Sequence, residues 1–225
     1  PREEAEADRA QAPAPGTDNA WRSRDWTLRA AMRTRQFWLM FLMWLVSMGI
    51  VEQLSISHQV YFYLDAGYEP MTAATFYSIF GICFALGNVA GALSDRIGRE
   101  RFFIPACLAS AGFAALFFVM KDASTPWLPP VIAVGYGTTF GSLCCVSNAT
   151  LADLFSGRHY GRIAGSMIVG FATGGTLSPW LAGHLHDISG DYTATFAMLV
   201  GGLVLTALLM WLVAPRRIRP IGRRK

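Results

Sequence analysis

Few residues in this chain could do chemistry, and those that could sit in unusual surroundings. Glu52 is the one acidic residue in an otherwise apolar run from Gln36 to Tyr63. On a helix advancing about 100° per residue, Gly49, Glu52, Ser55, Gln59 and Tyr63 fall on one face, within about 60° of Glu52. Such a stripe predicts the lining of a water-filled path. A carboxylate there can bind a proton or a cationic group. It can equally be a structural acid held by a Lys or Arg from another part of the protein. Gln53 and His58 are the other polar candidates nearby, with Gln59 on the stripe itself. His58 lies about 120° off that stripe and could gate a path or touch a ligand. The plainer readings are an interfacial histidine and, for Gln53, Asn88 and Asn148, interhelical hydrogen bonds.

A second constellation runs Gly91-Ala92-Leu93-Ser94-Asp95-Arg96-Ile97-Gly98-Arg99-Glu100-Arg101. Gly91, four residues after Gly87, removes side chains where a neighbouring helix could approach closely. Asp95 can accept hydrogen bonds from a helix N-terminus and meet its positive end. Arg96 and Arg99 can pair with carboxylates or helix C-termini, and Gly98 permits a tight turn. The remaining chemistry-bearing residues form nothing of the kind. His184 and His186 stand at i, i+2 and do not share a helix face, so no metal site is expected. Cys83, Cys107, Cys144 and Cys145 all fall in apolar blocks, which suits apolar filler better than disulfides. No phosphate-binding glycine loop and no cluster of catalytic side chains at one depth appear, and no cofactor is expected.

The elements that must position these residues are long and apolar. The chain is 53% hydrophobic and 15% charged, against about 25% charged in ordinary soluble domains. A helix needs ~20 mostly apolar residues to cross a bilayer. Six stretches qualify, at about 36–63, 71–94, 102–120, 126–152, 162–186 and 192–214. A crossing at each block sends alternate connectors to opposite sides. All nineteen Lys and Arg except Lys121 then fall on one side. Basic residues prefer the cytoplasmic side, so both termini are expected there, in a plasma or inner membrane. This placement also rejects a nucleic-acid reading of the net charge of +4. Glu52 then lies about 24 Å into its crossing, where an ionisable group is costly and becomes a functional hypothesis.

Residues 1–20, rich in Ala, Pro and acids, are expected to be a disordered cytoplasmic linker. Residues 21–35 carry Trp, Leu, Met and five Arg. They read as a short interfacial helix, supported by Asp25 and Arg29 at i, i+4, or as a basic anchoring flank. Residues 216–225 form a basic cytoplasmic tail. Pro1 in place of an initiating Met suggests a chain cut from a longer one.

The stretch Gly91–Arg101 resembles the G-x-L-[SA]-D-R-x-G-R-x-R signature of the major facilitator superfamily, with Glu100 a mild departure. That resemblance implies an all-α integral membrane fold, one six-helix half of the superfamily's twelve-helix bundle, and places these spans as helices seven to twelve. It implies a cytoplasmic gating role for Gly91, Asp95, Arg96, Gly98 and Arg99. It also implies a partner, the N-terminal six-helix half of the same protein, besides the lipid bilayer and a small-molecule solute. Gly87, Gly165, Gly170, Gly174 and Pro179 are expected to serve helix packing and bending. The entry Arg35-Gln36-Phe37-Trp38 and the run Asp153-Leu154-Phe155-Ser156-Gly157 resemble monocarboxylate and oxalate/formate porters. The function implied is alternating-access transport of a small organic solute, with carboxylates the candidate class and proton coupling or exchange driving it. No span carries Lys or Arg in its interior, which departs from those porters. The alternatives are a membrane-embedded enzyme and a non-transporting receptor or scaffold on the same bundle.

Overall fold

A computed structural model describes Trp21, residues 25–190 and residues 192–215, the side chain of Ser189 excepted. The expected linker 1–20, the basic tail 216–225, residues 22–24 and Asp191 lie outside the described residues.

The chain enters the bundle through one turn of helix, α1 (Leu28–Met32), whose N-cap Thr27 accepts from the amide of Ala30. Asp25 lies before that cap, outside the helix, and forms no ion pair with Arg29. The expected i, i+4 support is therefore absent. Trp21 and Trp26 tie this entry down instead. The indole of Trp21 donates to the carbonyl of Leu154 at 2.7 Å, and both rings pack on Phe155.

Six long helices follow: α2 (Arg35–Asp65), α3 (Pro70–Ile97), α4 (Arg99–Phe118), α5 (Leu128–Leu154), α6 (Tyr160–Ser189) and α7 (Thr193–Val213). Among the described residues, α2, α3, α4, α5 and α7 are each long and apolar enough to cross a membrane. α6 has ample length, 30 residues. Its six glycines and two histidines dilute its hydropathy. The expected fold class holds: an all-α integral membrane bundle.

Two parallel pairings dominate, α3 along α5 and α2 along α6, with α4 packed on α5 and α7, and α7 also on α2. Helix association in lipid relies on close packing, not on a hydrophobic force, so the seams are glycine-lined. A Cβ on Gly87 would lie 2.1 Å from the carbonyl oxygen of Thr138, and one on Gly141 would lie 2.1 Å from that of Phe84. Gly49 and Gly174 face each other across the second pair, where a Cβ on Gly174 would lie 2.4 Å from the carbonyl oxygen of Leu45. Gly170 likewise abuts Phe41. Gly165 does not belong with them. A Cβ there would meet nothing within 4 Å among the described residues, because it sits on the face of α6 turned away from α2.

α2 is not one regular helix. Residues Trp44–Glu52 form a π-helical stretch between two α-helical ones. Its wider turn rotates everything beyond it relative to an ideal α register. The hydroxyl of Ser178, from α6, donates to the carbonyl of Ile50 inside this stretch at 2.8 Å, which helps to satisfy the altered ladder.

Candidate substrate and coupling site

Glu52 closes the π-helical stretch and is half-buried between α2 and α5. The thiol of Cys144 donates to its Oε2 at 3.8 Å. One turn further, the hydroxyl of Ser55 donates to the carbonyl of Val51 at 2.8 Å. That uses its single proton, so the 2.6 Å contact between Ser55 Oγ and Tyr136 OH has the tyrosine as donor. Tyr136 is fully buried and sandwiched by Phe80 and Phe140. Among the described residues no cation pairs with Glu52. Its hydrogen-bond partner is a thiol, which can donate to a carboxylate and accept from a carboxylic acid.

The four sequence candidates do not converge. Gln59 is buried, its amide nitrogen donating to Tyr63 OH at 3.2 Å while Oε1 has no partner among the described residues. Gln53 turns to α6, where its side chain abuts Gly175. His58 also faces α6, with Nε2 3.2 Å from the carbonyl of Pro179. A carbonyl only accepts, so Nε2 carries the proton, and Nδ1, without a partner among the described residues, is left as an acceptor. Pro179, lacking an amide, interrupts the α6 ladder at this point. The expectation that the stripe lines a water-filled path is corrected. Ser55, Gln59 and Tyr63 are packed into the core, where Ser55 meets Tyr136 of α5 and Tyr63 meets Phe76 of α3 and Phe117 of α4.

The second constellation is an ion-pair knot. The α3–α4 junction turns at Gly98, whose φ of 108° disfavours any side chain. Arg99 opens α4 beneath it. Its guanidinium donates to Asp95 Oδ1 at 2.6 Å, to Ser94 Oγ at 2.6 Å and to Asp153 Oδ2 at 2.9 Å. Asp95 therefore receives an arginine, where the sequence suggested a helix terminus. Arg96 is exposed and makes no ion pair among the described residues. Glu100 is buried in the first turn of α4, where an acid meets the positive end of a helix. Gly91 stands against Cys145 of α5, with a virtual Cβ 2.8 Å from the Cβ of that cysteine.

Sequence reasoning missed Tyr136, Cys144 and Ser178, and treated Asp153 only as part of a resemblance. Tyr136 and Cys144 carry no periodic signal, since a lone tyrosine or cysteine in a span reads as filler. Asp153 could have been found as an acid at the end of a span with arginines opposite.

Residues 2–167 match the Major Facilitator Superfamily, a stretch that includes the whole Gly91–Arg101 knot. The chain belongs to the major facilitator superfamily. Its similarity extends to Monocarboxylate transporter 13 of Rattus norvegicus, 33% identical over 153 residues, which are 67% of this chain and 35% of the relative. Monocarboxylate transporter 12-B of Danio rerio is 28% identical over 154 residues, 67% of this chain and 32% of the relative. The Uncharacterized MFS-type transporter YhjX of Escherichia coli (strain K12) is 27% identical over 161 residues, 70% of this chain and 39% of the relative. The chain thus spans about a third of the length of the curated relatives it matches. Superfamily membership and the apolar helices make it an integral membrane protein.

Proposed function

We propose that this chain is the C-terminal six-helix half of a secondary transporter for small organic solutes, pairing with an N-terminal half to enclose a site near the membrane midplane. The substrate class is carboxylates, in line with the names of the relatives, and transport is coupled to a proton or to exchange. Both termini face the cytoplasm of a plasma membrane, on the charge asymmetry of the loops. The observation that carries the reading is Glu52: a carboxylate inside a span, held by a thiol beside a serine–tyrosine pair, with no cation fixing its charge among the described residues. An acid so placed can trade its proton as the two halves rock. The cation that a carboxylate substrate needs comes from the partner half, since these spans carry none. Arg99, bridging Asp95 and Asp153, locks the cytoplasmic end in one state and releases it in the other.

The test is uptake of a radiolabelled monocarboxylate by proteoliposomes holding the full-length protein, with and without an inward pH gradient. Glu52→Gln is expected to abolish stimulation by the gradient and leave exchange of preloaded substrate within about two-fold. Unchanged gradient stimulation in that variant would exclude Glu52 as the proton carrier.

A further inference from the structure

Where α2 and α6 begin, a cavity of about 530 Å³ opens between α1, the first turns of α2 and the start of α6. That size falls in the range of about 300–1,000 Å³ typical of small-ligand sites. Its wall carries three guanidinium groups, from Arg29, Arg33 and Arg162, and three apolar side chains, Leu28, Met32 and Trp38. None of the three arginines has an ion-pair partner or a side-chain hydrogen bond among the described residues. Arg99, at the same end of the bundle, is pinned by three oxygens. Three cations around one cavity repel one another, and an anion between them removes the repulsion. Guanidinium groups bind phosphate with paired, directed hydrogen bonds, so phosphate is the anion that this wall fits best.

The apolar side of the cavity distinguishes one source of phosphate from another. The indole N–H of Trp38 donates to the carbonyl of Met32 at 2.8 Å, which fixes the ring at the rim with 52% of its surface open. Leu42, one turn deeper on α2, is 40% exposed, and Val169, two turns beyond Arg162 on α6, is 59% exposed. The open apolar surface therefore continues from the arginines toward the membrane interior on both helices. A soluble phosphate would use the arginines and leave this surface idle. A phospholipid uses both. Basic pockets between transmembrane helices at the headgroup level bind anionic lipids in this way.

We propose that this cavity binds the headgroup of an anionic phospholipid, its phosphate among Arg29, Arg33 and Arg162 and an acyl chain along Trp38 and Leu42. The inference requires a membrane around the bundle and is independent of whether the protein transports anything.

The experiment is thermal unfolding of the purified full-length protein in detergent, titrated separately with phosphatidylglycerol, phosphatidylcholine and inorganic phosphate. Phosphatidylglycerol is expected to raise the unfolding midpoint saturably, with no comparable rise from the other two. Each Arg→Gln step among the three positions should weaken apparent lipid affinity about five-fold. Trp38→Ala should narrow the difference between lipid and inorganic phosphate. A wild-type lipid response in the triple Gln variant overturns the proposal, and so does protection by inorganic phosphate equal to that by lipid. Should the triple variant aggregate, the single Arg162→Gln carries the same two outcomes.

Discussion

The two polar regions of this bundle handle charge in opposite ways. At the α3–α4 junction, Arg99 is 9% exposed and gathers Asp95, Ser94 and Asp153 around one guanidinium. In the middle of α2, Glu52 meets a thiol, and the neighbouring Ser55 meets Tyr136, with no opposite charge on any of them among the described residues. α5 serves both regions, carrying Tyr136 and Cys144 along its length and Asp153 near its end. An ion pair holds two elements together and fixes the protonation of its members. A neutral hydrogen-bonded pocket tolerates a carboxyl in either state. The first arrangement suits a latch and the second suits a carrier.

That contrast can be broken or sharpened by substitution. The largest effect is expected from Arg99→Ala, which removes the guanidinium that Asp95 and Asp153 share. Removing one member of a largely buried pair costs about 3 kcal/mol, the lower end of the usual range, because the knot lies near water. Thermal unfolding in detergent reads this, and Arg99→Lys should restore part of it. A loss no greater than that of an exposed pair would erase the distinction between latch and carrier.

Next comes the seam that links the two regions. Gly141→Ala puts a Cβ where only 2.1 Å separates it from the carbonyl oxygen of Phe84. Forcing α3 from α5 should cost about 2 kcal/mol in the same assay. Gly165→Ala, on the open face of α6, should be neutral or gain about 0.5 kcal/mol from helix propensity.

Tyr136→Phe removes one hydrogen bond and little volume, and should cost about 1 kcal/mol. Ser55 keeps its bond to Val51, so the fold persists. What the variant should change is the pH dependence of transport, as Glu52→Gln does, while Arg99 variants should alter turnover without moving it.

The smallest effect lies in the loop between α4 and α5. The Ser124 hydroxyl and then its backbone amide donate to Asp122, and hold its carboxyl below the usual carboxylate value. A depressed carboxyl favours the folded loop above its unfolded pKa and loses that contribution as pH falls through the folded value. Ser124→Ala should therefore move the Asp122 titration upward in carbon-detected NMR, with no measurable change in unfolding temperature.

Much of this was legible from residues alone. The long apolar helices follow from the need to satisfy every backbone polar group inside lipid, which leaves apolar runs of spanning length as a direct record. The Gly91–Arg101 spacing marked the junction, since a left-handed turn at Gly98 and a cation at Arg99 leave few alternatives. The polar stripe on α2 was legible as a stripe but not as to what it faces. Its geometry assumed a uniform 100° per residue, and the π-helical stretch Trp44–Glu52 changes that register.

The sequence by itself determined where the long helices run, where Gly98 turns the chain, and that Glu52 is an acid out of place. Those are local properties, set by side-chain hydropathy and backbone sterics within one segment. Only the tertiary structure decided that Arg99 closes on Asp153, that Tyr136 and Cys144 join the Glu52 region, and that Gly174 meets a neighbouring helix while Gly165 meets none. Each of those depends on which face of a helix another helix covers. Residues fifty or ninety positions apart reach one another only after the packing has chosen its seams.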